Sequence, residues 1–245
     1  KVFEVAGVGY EPKGEFSSGN NPFDPGGDKG LSLLLTIGAL CNNATLEEEN
    51  GVWRVLGDPT EGALIVAAAK AGLEKTELEK IYPRTGEIPF TSERKRMTTV
   101  HSTLEREQFA YVKGAPEIIL ERCQHVLENG RETKLTDAKR KEILEHNERL
   151  ASDALRVLGM AYKKVPATLR EFDEEGLENN LIFVGLEGMI DPPREEAIDA
   201  NKRCIEADGH DHGRSQTDGH RGSEGDRHHE GRQFGPDGRG PGQHQ

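Results

Sequence analysis

The first ten residues, KVFEVAGVGY, alternate loosely between apolar and polar and predict a strand over Lys1–Tyr10. From Glu11 to Lys29 that pattern gives way to Gly, Pro, Asn and Ser, which predicts a loop. Leu31–Cys41 is apolar almost throughout and predicts a buried helix. Val52–Leu56 predicts a short strand. Gly57-Asp58-Pro59 then marks a helix start, with Asp58 at the N-cap and Pro59 at the first helical position. The segment that follows, Thr60–Ala71, is small and apolar and should be tightly packed. Three strand patterns come next, Thr85–Phe90, Met97–Ser102 and Gln108–Lys113, joined by short polar turns that favour antiparallel pairing. Pro116–Cys123 predicts a short helix. Thr136–Ala154 predicts a long amphipathic one, with Leu135, Ile143, Leu144 and Leu150 on one side. Arg156–Val165 and Leu181–Ile190 read as strands, Pro192-Pro193 interrupts, and Arg194–Ala207 begins another helix. The layout is α+β, an antiparallel twisted sheet flanked by helices.

The patterning stops near residue 207. Residues 208–245 contain one large apolar residue, Phe234, among ten glycines and six histidines. Such a stretch cannot bury enough apolar surface to offset the entropy of ordering itself, so it is expected to be disordered. The core therefore belongs to roughly the first 200 residues, which is ample for one domain. A net charge of −12, with no basic stripe carrying interleaved aromatics, excludes nucleic acid as a partner. Cys41, Cys123 and Cys204 are far apart, with neither disulfide nor zinc spacing, which suits a reducing compartment such as the cytosol. No signal peptide opens the chain. Its longest apolar run, Leu31–Cys41, is about half of what a bilayer span needs.

Four segments carry candidate chemistry: GDPTEGALIVAAAK, IPFTSERKRMTTV, YVKGAPEIILERC and DALRVLGMAYKKV. In the third, Lys113 would project from a strand end. Gly114 would let a ligand approach the backbone, and Pro116 with Glu117 would open a helix. A surface lysine before an ordinary strand-to-helix turn reads the same way. In the second, Phe90 could stack on a purine or fill a core. Lys95 lies two residues before Met97, so on a strand both would face one side of a pocket. Lys95 could equally be a solvated turn charge, and Arg94 and Arg96 are expected to be solvated. In the first, Thr60 and Glu61 open a helix. Glu61 could accept a hydrogen bond from an adenine amino group or simply complement the helix dipole. In the fourth, Arg156 leads an apolar strand and could clamp phosphate or form a surface ion pair.

The joint order of DPTEGAL, PFTSERKRMT, KGAPE, ALRVLGMAY and GMIDPPR over residues 1–207 resembles the nucleotide-binding domain of type II P-type ATPases, the family of calcium, sodium–potassium and related pumps. The resemblance implies an ATP pocket, with Mg2+ arriving on the nucleotide. Phe90 would stack on adenine, and Glu61 would sit by the adenine or ribose. Lys95 and Lys113 would line the pocket, and Arg156 would reach the phosphates. Thr60, Met97, Gly114 and Leu158 complete the expected lining. Asp191, with Arg194, would form the hinge to a phosphorylation domain and help position nucleotide and Mg2+. Ser92 joins the expected pocket but departs from the pattern where some calcium pumps carry an arginine, which puts one phosphate contact in question. The implied partners are ATP and the phosphorylation, actuator and transmembrane domains of the same pump, with the parent protein in a plasma or inner membrane.

The implied division is a nucleotide-binding domain over 1–187, a hinge and the incomplete start of a HAD-like α/β phosphorylation domain over 188–207, and a Gly/His-rich tail over 208–245. The family's phosphorylated aspartate lies in a DKTGT string that this sequence lacks, so no catalytic residue and no metal ligand is assigned. The expected position of that string is just before Lys1. Slipped by one base, the codons for His210–Gln216 can be re-read as Met-Ile-Thr-Gly-Asp-His-Lys, the family's next motif at its expected place. That suggests out-of-frame translation beyond residue 207. The competing reading of the tail, metal binding by His210, His212, His220, His228 and His229, has no ordinary zinc spacing. Two other functions stand beside the pump fragment: a non-catalytic nucleotide-binding or regulatory module, and a HAD-superfamily phosphatase fragment. The phosphatase needs a DxDxT-like string, which the sequence also lacks.

Overall fold

A computed structural model describes residues 1–166, 168–169 and 172–190. The chain begins with three short strands, β1 (Glu4–Val5), β2 (Phe16–Ser18) and β3 (Asn21–Phe23), a 3-10 turn at Pro25–Gly27, and helix α1 (Lys29–Leu40). A hairpin of β4 (Thr45–Glu49) and β5 (Val52–Leu56) leads into α2 (Pro59–Lys70) and α3 (Lys75–Ile81). The meander β6 (Arg84–Thr91), β7 (Arg96–Ser102) and β8 (Gln108–Gly114) follows, then α4 (Pro116–Glu121), β9 (Cys123–Glu128) and β10 (Arg131–Lys134). Last come α5 (Asp137–Ser152), β11 (Leu155–Val165), α6 (Glu174–Leu177) and β12 (Leu181–Ile190).

Seven strands form the main sheet in the order β10-β9-β12-β11-β8-β7-β6. Every pairing in it is antiparallel except β12 with β9, which is parallel. Strand alternation divides the core between the two faces. Met97, Tyr111 and Met160 join Leu35, Ile37, Leu40 and Leu64 of α1 and α2 on one face. Val112, Ala161 and Phe183 join Ile119 of α4 and Ile143 of α5 on the other. The α+β architecture expected from the pattern is therefore present.

Local chemistry explains the helix starts. The Asp58 carboxylate accepts from the N–H groups of Thr60 and Glu61 at 2.8 and 3.3 Å, and Pro59 opens α2. These bonds satisfy donors that the first helical turn leaves unpaired. Asp28 caps α1 in the same way.

Several expectations are corrected. Only Glu4–Val5 of the first ten residues is paired, and the expected loop Glu11–Lys29 holds the β2–β3 hairpin and a 3-10 turn. The helix expected to reach Cys123 stops at Glu121, because Cys123 begins β9. The first three residues of the expected hinge, 188–190, end β12, while the rest of it, the helix expected from Arg194 and the tail over 208–245 lie outside the described residues. Among the described residues, no helix is long and apolar enough to cross a membrane.

Candidate functional site

Antiparallel register brings the candidate residues to one end of the sheet. Met97 on β7, Lys113 on β8 and Met160 on β11 are direct cross-strand partners, so their side chains share the face covered by α1 and α2. Leu158 and Arg156 lie two and four residues back along β11 on that face, opposite Glu187 and Met189 of β12. The adjacent row, Thr91–Arg96–Gly114–Gly159, faces the other way. Phe90 directly precedes Thr91 on the edge strand β6, so it sits at this same end of the sheet.

Lys113 is only 6% exposed and needs a partner, since an isolated buried charge is expensive. It finds Glu61 in the first turn of α2, with Nζ 2.6 Å from Oε1. The second oxygen of Glu61 accepts from the Asn43 N–H at 2.9 Å. Behind Glu61, the buried Asn42 donates to the Glu61 and Gly38 carbonyls at 2.8 and 2.9 Å. Lys75 ties the same loop down through the Asn42 and Ala44 carbonyls, both at 2.8 Å. At the mouth of the face, Arg156 Nη1 donates to Thr60 Oγ1 at 2.6 Å. Burial raises the neighbouring Asp58, but hydrogen bonds from the Thr60 hydroxyl and the Thr60 and Glu61 N–H groups, with Arg156 nearby, hold its carboxyl below the usual range.

A second carboxylate, unforeseen from the sequence, stands behind Lys113. Glu187 Oε2 is sealed from solvent and has no hydrogen-bond partner. Burial pushes Glu187 up to about 8, against the opposing pull of Lys113, so at neutral pH it is largely protonated. The signal was present in LIFVGLEGMI, where one acid interrupts an otherwise apolar strand.

The remaining predicted residues divide. Phe90 is 58% exposed, which removes the core-filling alternative. Met97 is buried at 2% exposure and Leu158 packs against the same core. Ser92 and Lys95 lie in the exposed turn between β6 and β7, and Lys95 has the left-handed φ of 51°. Lys95 is therefore not on the strand with Met97, and the shared-side argument for that pair does not hold. The approach expected at Gly114 is made by the chain's own backbone. A Cβ there would stand 2.4 Å from the Lys95 carbonyl oxygen and 2.8 Å from Arg96 Cα. Arg94 and Arg96, expected to be solvated, turn inward onto Glu178, Arg94 half-buried, Arg96 4% and Glu178 0% exposed. Asp191 and Arg194 lie outside the described residues. A separate hollow of about 700 Å3, lined by Thr85, Ser102, Arg106, Gln108 and Phe172 among others, opens at the opposite end of β7 and β8, away from this chemistry.

Comparison with known proteins bears on this geometry. Residues 30–196 match the family model described as the P-type ATPase cytoplasmic domain N. The chain belongs to this family. The N domain is 39% identical over 210 residues to a calcium-transporting ATPase of Bacillus subtilis, an alignment covering 84% of this chain and 23% of that protein. It is 42% identical over 212 residues to a cation-transporting ATPase of Synechocystis, again covering 84% of this chain and 23% of the relative. A calcium-transporting ATPase of Bacillus cereus is 44% identical over 175 residues, which are 71% of this chain and 19% of that protein. The N domain described here thus spans under a quarter of the length of these relatives.

Proposed function

We propose that this N domain binds ATP and presents its γ-phosphate to an aspartate elsewhere in a cation-transporting P-type ATPase. The observation that carries the reading is the exposed Phe90 ring at the same end of the sheet as the buried Lys113–Glu61 pair. An aromatic surface for a purine and a cation held at low dielectric are what a nucleotide needs at its two ends. Phe90 would stack on adenine, Glu61 would sit by the adenine or ribose, and Lys113 would lie deep in the pocket. Thr60, Met97, Gly114 and Leu158 would line it. Lys95 and Arg156 would neutralise the phosphates, with Ser92 beside them. Mg2+ would arrive on the nucleotide, because this ion is usually held by phosphates and few carboxylates. Asp191 and Arg194 would serve the hinge.

In the intact pump the domain would close on a phosphorylation domain, and phosphorylation would drive the actuator and membrane segments between two states. Its contribution would be positioning and electrostatics. Two of the relatives described above are named for calcium, which favours calcium as the ion. The parent would be a membrane protein with this domain on the cytosolic side. Calorimetric titration with ATP tests the reading. Phe90→Ala should weaken binding by about 5- to 150-fold, the equivalent of a lost base stack of about 1–3 kcal/mol. Unchanged affinity would overturn the pocket assignment.

A further inference from the structure

The arginines on either side of Lys95 are used inward. Glu178 caps the C-terminal end of α6 and is wholly buried. It accepts from Arg94 Nη2, from Arg96 Nε at 2.5 Å and from the Thr98 hydroxyl at 2.6 Å. Glu174, one turn earlier, accepts from Arg96 Nη2 at 3.1 Å. It also places Oε1 3.0 Å from Arg94 Nε, an ion-pair distance without hydrogen-bond alignment. Arg94 then reaches the other way. Its Nη1 donates to the Pro89 carbonyl at 2.7 Å and its N–H to Thr91 Oγ1 at 3.2 Å. Those two residues flank Phe90. Arg96 Nη1 closes the turn on the Arg94 carbonyl at 3.1 Å, and the Lys95 N–H bonds the Thr91 carbonyl at 2.8 Å.

We infer that Glu178 and Arg94 are positioning residues of the nucleotide site, anchoring the β6–β7 turn from the opposite face of the sheet so that Phe90 stands in a fixed orientation. The inference rests on the ATP-binding reading and names a device within it. An exposed aromatic on an edge strand would ordinarily lose rotational freedom when a base stacks on it. Here the carbonyl before it is held by the Arg94 guanidinium and the hydroxyl after it by the Arg94 main-chain N–H, and that guanidinium is itself held by a carboxylate that water does not reach. The cost of ordering this turn is thus met on folding rather than on binding, which is how preorganisation strengthens a site.

Arg94→Ala in the full chain is the cleaner test, because Arg96 and Thr98 still satisfy Glu178. The variant should keep the unfolding cooperativity of the parent, shift the Phe90 ring resonances in the free protein, leave those of Tyr111 in place, and bind ATP about tenfold more weakly. Glu178→Gln should move the same resonances if it folds, and Arg94→Lys should recover only part of the affinity, since an ammonium cannot span both partners. Unmoved Phe90 resonances together with parental ATP affinity in Arg94→Ala would overturn the inference. A Phe90→Ala variant titrated alongside separates the two readings. If Phe90→Ala loses ATP and Arg94→Ala does not, the pocket stands and the anchor falls. If neither affinity changes, both fall.

Discussion

Two charged clusters occupy opposite faces of one sheet, separated at Arg96 and Met97 by a single step along β7, and they are completed in different ways. On the α6 side, Arg94 and Arg96 meet Glu174 and Glu178, two charges against two, with the Thr98 hydroxyl filling a remaining acceptor position. On the α2 side, Lys113 meets Glu61, while Glu187 holds its proton and leaves one oxygen without a partner. The α6-side network is balanced in charge, with Glu174 half exposed at its edge and Arg94 Nε near a carboxylate but without an aligned hydrogen bond. The α2-side cluster, with an exposed aromatic at the same end of the sheet, is the arrangement on which the nucleotide proposal rests. Net charge and burial alone do not separate the two, since Lys113 and Arg96 are almost equally hidden. The kind of unpaired atom does, an arginine Nε with a carboxylate oxygen 3.0 Å away on one side and a carboxyl oxygen without a hydrogen-bond partner on the other.

The sharpest way to break this contrast is to remove the centre of the α6-side cluster. Glu178→Ala leaves two guanidiniums, that of Arg96 buried, to share the half-exposed Glu174, and should lower stability by about 3–5 kcal/mol in urea unfolding. A loss below about 1 kcal/mol would mean that water serves this face as well. Next in size is Glu187→Gln. Glu187 has a folded-state pKa near 8 against 4.5 in the unfolded chain, so the folded state binds its proton more tightly. Its contribution is whole below the unfolded value and is lost as pH rises through the interval up to the folded one. The advantage of the Gln variant over the parent should therefore grow by about 1.4 kcal/mol per pH unit across that interval. Parallel pH profiles of the two proteins, read from urea midpoints, would exclude a protonated Glu187. The smallest effect on the fold is expected from Lys113→Met, which places a third methionine in the row of Met97 and Met160. Glu61, with a side chain 17% exposed, can then turn to water. Stability should change by about 1 kcal/mol or less, whereas ATP affinity should fall about 10- to 100-fold. The opposite outcome, a collapsed fold with intact binding, would exchange the roles of the two faces.

Much of the frame was legible because its elements obey one period each. The β6–β8 meander, α5, β11 and β12 all appear within a few residues of their expected bounds, and Asp58 caps α2 as its type and place suggest. Strands whose residues are solvated were not legible. Thr45–Glu49 and Arg131–Lys134 are almost wholly polar, so apolar alternation could not reveal them. Their turns did carry a signal. Asn50-Gly51, with φ of 54° and 78°, and Asn129-Gly130, with φ of 50° and 74°, are the residue pairs that tight hairpins require. The parallel seam between β12 and β9 depends on tertiary packing and leaves no local trace.

Within the site, residue type pointed to Lys113 and Phe90, and the register accounts for their shared end of the sheet. The misreading of Arg94 and Arg96 has a definite cause. Their partner Glu178 lies about eighty residues away, and a charge with a distant partner looks the same in sequence as one facing water. Gly114 was read for its missing side chain, and the Lys95 and Arg96 backbone occupies the space that a Cβ there would need.

That glycine also limits how the domain can drift. Any one-base change in a glycine codon that specifies a different amino acid introduces a Cβ, and here the obstacle is main chain, which cannot swing aside as a side chain would. Every amino-acid replacement within one base of position 114 therefore meets that obstacle. A lineage that altered it would have to re-space β7 and β8 in the same step, carrying Lys113 away from Met97. This strand crossing is in that sense frozen by the genetic code as much as by packing.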